Sequence, residues 1–250
     1  GPHFSVRDSD YSGIKERDSL YRFFELFDLE NIESAYQIFE LSCSGLINIT
    51  APPKSYLEEK MLFALFWNRN LQSFWQRELG GRFVERMKKI IPSTWLIDPS
   101  PLPPQGAIPG LNLTDWRQLS ELSQKDRQLV LKLSGFNANA WGARSVRLGS
   151  DMPQQEWATA VNEAIADFGK SPWILQRYHK PRRMDHEWFD FDNRKLVTMS
   201  GRVRLCPYYF VHGDSDVNLG GVLATICPAD KKIIHGMRDA ILTSCAVSKN

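Results

Sequence analysis

The chain has 250 residues, 42% of them hydrophobic and 24% charged, and its 14 Phe, 8 Trp and 7 Tyr can build a sizeable core. A formal net charge of +2 lacks the basic footprint of a general nucleic-acid binder. No apolar run approaches the ~20 residues of a bilayer span and no secretory leader is visible, so neither nucleic acid nor membrane is expected as a partner.

The length suits one large domain or two smaller ones sharing a cleft. Gly1 and Pro2 look like a protease-cleavage scar, which leaves room for a native start upstream. Cys43, Cys206, Cys227 and Cys245 are widely spaced among apolar residues, without CxxC or Cys/His metal spacing. They read as reduced, mostly buried thiols of a cytoplasmic protein.

Residues 1–18 are polar and charged and are expected to form a flexible arm. Residues 19–125 read as an N-terminal helical/α+β lobe. Within it, 20–41 is rich in Phe, Leu and Glu and reads as helical, and 46–49 alternates like a short strand closed by Pro52 and Pro53. Ser55 with Glu58 three residues on suggests a capping box for a helix whose apolar face carries Leu57, Met61, Ala64 and Leu65. A second helix is expected over 82–91, ended by Pro92, then a strand over 94–97. The five prolines between 99 and 109 mark a linker or crossing loop. Thr114 can cap a short helix running to Leu122.

Residues 126–250 read as a C-terminal, β-rich lobe. Strands are expected over 128–134, 144–148, 173–178, 201–211 and 222–227, a polar stretch holds Asp190 and Asp192, and the segment from Ile233 onward completes the layer. An amphipathic helix is expected over 153–168, with Trp157, Val161, Ile165 and Phe168 on one face and Gly169 as its stop. Helices and strands mix without regular βαβ alternation, which argues for an α+β fold.

Five features carry candidate chemistry. In the strand over 128–134, alternation sends Leu129, Leu131 and Leu133 one way and Val130, Lys132 and Ser134 the other. A mid-strand lysine is costly to bury unless an anion meets it; on spacing alone, an edge-strand lysine reaching water fits equally well. A loop of small residues and Asn follows, bracketed by Gly135 and Gly142 and leading to Arg144; it suits either a phosphate cradle of backbone N–H groups or an ordinary hairpin loop. The strand ending in Gln176, Arg177 and Tyr178 could present backbone groups to an adenine edge, or simply serve the core. Arg202 and Arg204 share a strand face that suits a phosphate clamp or a solvated surface. Asp214, Asp216 and Asn218 could hold Mg²⁺ or form a surface turn. His179, His186, His212 and His235 lie near loops and read as structural or solvated.

Glu59 and Lys60 precede a helix that leads to Ile91, Pro92, Ser93, Thr94 and Trp95. Val130 to Leu133 and Gly142 to Val146 match a "vlKp…gGrGv" hairpin, Trp173 to Tyr178 a hinge strand, and the basic strand from Val203 to Phe210 leads to Gly220, Gly221, Val222 and Leu223. In this order the motifs resemble the ATP-grasp superfamily, especially its circularly permuted ligase branch, which also looks like glutathionylspermidine synthase. Leu133 stands where the family commonly has Pro, and no Glu-x-Asn follows near the end.

The resemblance implies an ATP-grasp-like fold of two α+β lobes with a nucleotide cleft between them. It implies an ATP- and Mg²⁺-dependent ligase joining a small-molecule carboxylate to an amine. Lys60 and Lys132 would meet the α/β-phosphates, the loop with Gly135, Gly142 and Arg144 would approach them, and Gln176, Arg177 and Tyr178 would frame the adenine. Arg204, with Arg202 beside it, would meet the γ-phosphate or acyl phosphate, and Asp214, Asp216 and Asn218 would hold the metal. The alternative is a non-catalytic ATP-grasp-like module for nucleotide or protein binding. The chain has little room for a substrate-recognition domain, so a missing segment or a partner is expected to supply the acceptor site.

Overall fold

The computed structural model describes residues 14–22, 24–102, 106–134, 137–140, 143–213, 216–236 and 239–246. The fold is mixed α+β. It divides into two compact units at Tyr178/His179. Position 125/126, expected as the lobe boundary, falls inside the first unit, because strands on either side of it pair in one sheet.

The first unit opens with β1 (Ser19–Tyr21), a 3-10 turn (Leu26–Asn31), α1 (Ala35–Cys43) and β2 (Asn48–Thr50), with β1 and β2 parallel. Phe24, Ala35, Ile38 and Ile47 bury together here, and Ile14 packs beside them, so residues 14–18 belong to the folded unit. The single helix expected over 20–41 is broken. Arg22 is buried and donates to Ala51 O, Phe24 O and Glu58 Oε1. A buried guanidinium needs such partners, and reaching them pulls this stretch into extended backbone. Glu58, expected in a capping box with Ser55, instead takes Arg22 and the Leu26 N–H (2.9 Å).

The helices α2 (Met61–Trp67), α3 (Gln72–Leu79) and α4 (Gly81–Ile90) follow. The Trp67 and Trp75 indoles donate to Ile91 O (3.2 Å) and Leu65 O (3.0 Å), so their polar edges are satisfied where the rings pack. The chain then builds β3 (Thr94–Leu96), β4 (Leu129–Leu133), β5 (Arg147–Leu148), α5 (Gln154–Ala166) and β6 (Trp173–Arg177). Asp115, rather than Thr114, caps the turn Trp116–Glu121 in a box with Gln118.

The sheet order is β3-β6-β4-β5, with antiparallel pairing throughout. One face carries Leu129, Leu131, Leu133 and Leu175 and packs against Trp157 and Val161 of α5. Trp157 is fully buried, and its indole donates to Leu119 O at 2.7 Å. Gly149 permits the approach of the β5–α5 turn: a Cβ there would lie 2.9 Å from Arg127 O and 3.1 Å from the Trp157 ring. The opposite face meets α2.

The second unit is a meander of β7 (Arg183–Asp190), β8 (Lys195–His212), β9 (Asp216–Pro228) and β10 (Ile241–Ser244), ordered β10-β9-β8-β7. The polar stretch ahead of residue 201 is therefore largely strand, and Asp190 closes its turn by accepting from the N–H groups of Asp192 and Asn193. Register slips between Tyr208 and Tyr209, leaving Gly220 as the extra residue, where a Cβ would meet the Phe210 ring at 2.5 Å. All four cysteines are free, and only Cys227 is buried; Cys43 and Cys245 are exposed, contrary to the expectation of mostly buried thiols. No helix among the described residues is long and apolar enough to cross a membrane.

Glu58→Ala is expected to lower the unfolding free energy by about 3–5 kcal/mol, because it leaves the buried Arg22 charge uncompensated. Ile90→Ala, at a position 79% exposed, is expected to change it by less than about 0.5 kcal/mol. Urea unfolding followed by Trp fluorescence checks both, and equal shifts would refute the assignment.

Candidate anion site on the first sheet

Cross-strand register places Thr94 opposite Gln176, Gln176 opposite Val130, and Lys132 opposite Ile174. Thr94, Gln176 and Lys132 thus share the face turned from α5, as the alternation of β4 dictates. Lys132 Nζ donates to Gln176 Oε1 at 2.7 Å, and Gln176 Nε2 donates to Thr94 Oγ1 at 2.9 Å. At the end of the same strand face, the Ser134 hydroxyl donates to Glu59 Oε1. That carboxylate oxygen also accepts the Met61 N–H (3.1 Å) at the start of α2. Lys60, one residue on, extends to Ala140 O at 2.7 Å, in the turn Ala138–Ala140 that follows β4.

Two ammonium groups are therefore held near one another by neutral oxygens. Neither Lys60 nor Lys132 forms an ion pair with a described residue. Burial pushes the Lys132 ammonium below the ordinary lysine range, and the Lys60 charge pushes it the same way. Burial also lowers Lys60, against the opposing charges of Glu59 and Glu25. A hydrogen bond from a charged donor contributes about 1.5–3 kcal/mol, whereas desolvating an ion costs several. Gln176 alone does not offset the burial of Lys132, and an anion placed between the two lysines would.

The other expected site residues are arranged differently. Arg177 donates to Gly110 O (2.7 Å) and lies over the Trp95 ring. The backbone N–H groups of Arg177 and Tyr178 are bonded to Ser93 O (2.9 Å) and Gln128 O (3.0 Å). Because β6 lies between β3 and β4, it presents no open edge from these donors to an adenine, and Gln176 is engaged with Lys132 and Thr94. Arg144 accepts through its carbonyl from the Arg147 guanidinium (3.2 Å). Gly135, Gly142 and Asp214 lie outside the described residues.

Arg202 and Arg204 belong to the second unit. Arg202 is 3% exposed and donates to Ala229 O (2.8 Å) and Pro181 O (3.1 Å). Its guanidinium clamps the backbone where β7 and β9 meet β8. Arg204 reaches Ile234 O and Thr225 Oγ1, both at 3.4 Å. Asn218 donates to Asp216 Oδ2 at 3.0 Å on an exposed strand end. No group of three or more His, Cys, Asp or Glu among the described residues is placed to hold a metal ion.

Sequence reasoning did not assign Thr94, Glu59 or Ser134 a role. Strand alternation carried the signal for Ser134 and Thr94; Glu59 could be placed only by the long-range docking of α2 onto β4. No protein-family model, curated protein or solved structure matches the chain.

The lowered Lys132 pKa has a definite sign. As pH rises through it, the folded protein sheds this proton before the unfolded chain does, so stability rises from there up to the ordinary lysine range. Anion binding runs the other way: it draws the proton back. Phosphate-type ligands are therefore expected to bind with proton uptake over that interval and to weaken as pH climbs. Calorimetry in buffers of different ionisation enthalpy reads the uptake, and none at any pH below the ordinary lysine range would overturn the assignment.

Proposed function

We propose that the first unit binds the phosphates of ATP at Lys60 and Lys132, and that the chain is the ATP-binding part of a carboxylate–amine ligase. The observation that carries the phosphate step is the pair of lysines held on neutral acceptors without an ion-paired carboxylate. The ligase step rests on the order of motifs resembling ATP-grasp proteins. A carboxylate oxygen would attack the γ-phosphorus of ATP, giving an acyl phosphate and ADP. An amine would then attack the acyl carbon, expelling phosphate and losing a proton to give the amide. Such transfer depends chiefly on positioning and on neutralising phosphate charge, which suits two desolvated ammonium groups. Lys132 and Lys60 would hold the phosphates. Magnesium would accompany the nucleotide; the described residues supply no ligand set for it.

A second reading, a non-catalytic nucleotide-binding module, is favoured by Arg202, whose guanidinium is already committed to backbone carbonyls. Lys132→Ala is expected to weaken MgATP binding roughly 100-fold or more, since it removes a charged donor from a desolvated site. Calorimetry on the intact chain checks this. Absence of MgATP binding to folded wild-type protein would sink both readings. ADP or phosphate release that requires both a carboxylate and an amine, and that Lys132→Ala abolishes, decides for the ligase; binding without such release decides for the module.

A further inference from the structure

The hydrogen bonds beneath Lys132 run in one direction. Thr94 Oγ1 donates to Pro92 O at 2.8 Å. A hydroxyl has a single proton, so Thr94 meets Gln176 only as an acceptor. That fixes the side-chain amide: Nε2 points to Thr94 at 2.9 Å and Oε1 to Lys132 Nζ at 2.7 Å. A flipped amide would set its NH₂ against an ammonium and its oxygen against a hydroxyl whose proton is already engaged. Thr94 is 1% exposed and Gln176 8%, so water offers Thr94 little substitute for a lost partner. Among the described residues, Lys132 has no acceptor besides Gln176.

We propose that Thr94 and Gln176 are positioning residues for Lys132, a one-way relay from the Pro92 carbonyl that holds the ammonium at the anion site with its remaining protons directed to a ligand. The ligand's identity as a phosphate rests on the reading above; the relay itself does not. Threonine at position 94 is then required for its hydroxyl. Valine, of nearly the same shape, would leave Gln176 Nε2 without an acceptor. The amide would turn to find one, and Lys132 would lose Oε1. The consequence appears two links from the substitution, on a side chain to which Thr94 is joined only through Gln176 in this hydrogen-bond chain.

The test compares Thr94→Val, Thr94→Ser and wild type as intact chains carrying ¹³Cε-lysine, with Lys132 assigned through Lys132→Arg. The carbon shift gives the titration midpoint of Lys132, and calorimetry with MgATP and with pyrophosphate gives affinity. Thr94→Val is expected to move the midpoint to lower pH and to weaken both ligands about tenfold, and Thr94→Ser to restore both. If Thr94→Val does not fold, Gln176→Met breaks the same chain one link later, with the same expected shift. An unchanged Lys132 midpoint in the folded variant, or failure of serine to restore it, overturns the relay. If wild type binds neither ligand while the midpoint still moves as expected, the phosphate reading fails and the relay stands.

Discussion

Burying an ammonium on the face of a sheet constrains everything around it, and Lys132 places that constraint at the centre of the first unit. A side chain on β4 must point to one face or the other, and the face opposite α5 is the one that α2 covers. Lys132 cannot join the apolar layer of Leu129, Leu131 and Leu133, and it forms no ion pair with a described carboxylate. Its neighbours are accordingly polar and directional. Gln176 supplies an oxygen, Thr94 supplies the acceptor that orients Gln176, and Ser134 ties the end of the same strand to Glu59 at the start of α2. That last tie also sets Lys60, because a residue adjacent to Glu59 at the helix start has only a short arc to travel. Lys60 extends to Ala140 O, in the loop following the strand that bears Lys132. A sheet face, a helix start and a loop thus converge on two positive charges.

Natural cores rarely keep such an arrangement without use. Replacing a buried ion by an apolar residue of similar volume is often neutral or stabilising, so a buried ammonium on neutral partners is a poor device for stability alone. The contrast with Arg22 is instructive. Arg22 is more deeply buried than the partly buried Lys132, but it meets a carboxylate and two backbone carbonyls, and holds β1, the turn after it and the approach to α2 together. Arg22 is closed; Lys132 is open. Perturbed, incompletely compensated charges concentrate at functional sites.

The parts of the fold legible in the sequence were those where local pattern and tertiary packing agree. The alternation of Leu129 to Ser134 assigned faces correctly, and the spacing of Trp157 and Val161 marked the buried side of α5. The parts that were not legible depend on distant partners. Residues 20–41 have helical composition, yet Arg22 must reach Glu58 and Ala51, and β1 must pair with β2, so the helix gives way. Arg183–Asp190 has the polar composition of a loop, and its strand exists because the neighbouring β8 offers a free edge over Lys195–Arg202. At the site, Lys132 was visible as an apolar-strand anomaly, whereas the role of Gln176 was not. Its sequence context is a strand end, and only the placement of β6 between β3 and β4 turns it inward toward Lys132.

That placement bears on how the two arginines should be weighed. Arg202 and Arg204 alternate on β8 like a surface clamp, and sequence alone treats them as equals. Burial separates them: Arg202, at 3% exposure, serves two backbone carbonyls just beyond the neighbouring strand ends, while Arg204 is exposed and weakly held at 3.4 Å. A guanidinium that already satisfies backbone carbonyls would have to leave them unpaired in order to meet a ligand, at about 1–3 kcal/mol for each. Arg204 also donates to a carbonyl, Ile234 O, but at an exposed position where water can replace it. The second sheet therefore keeps Arg202 as a structural clamp, and the proposed phosphate binding rests on Lys132 of β4 and Lys60 at the start of α2.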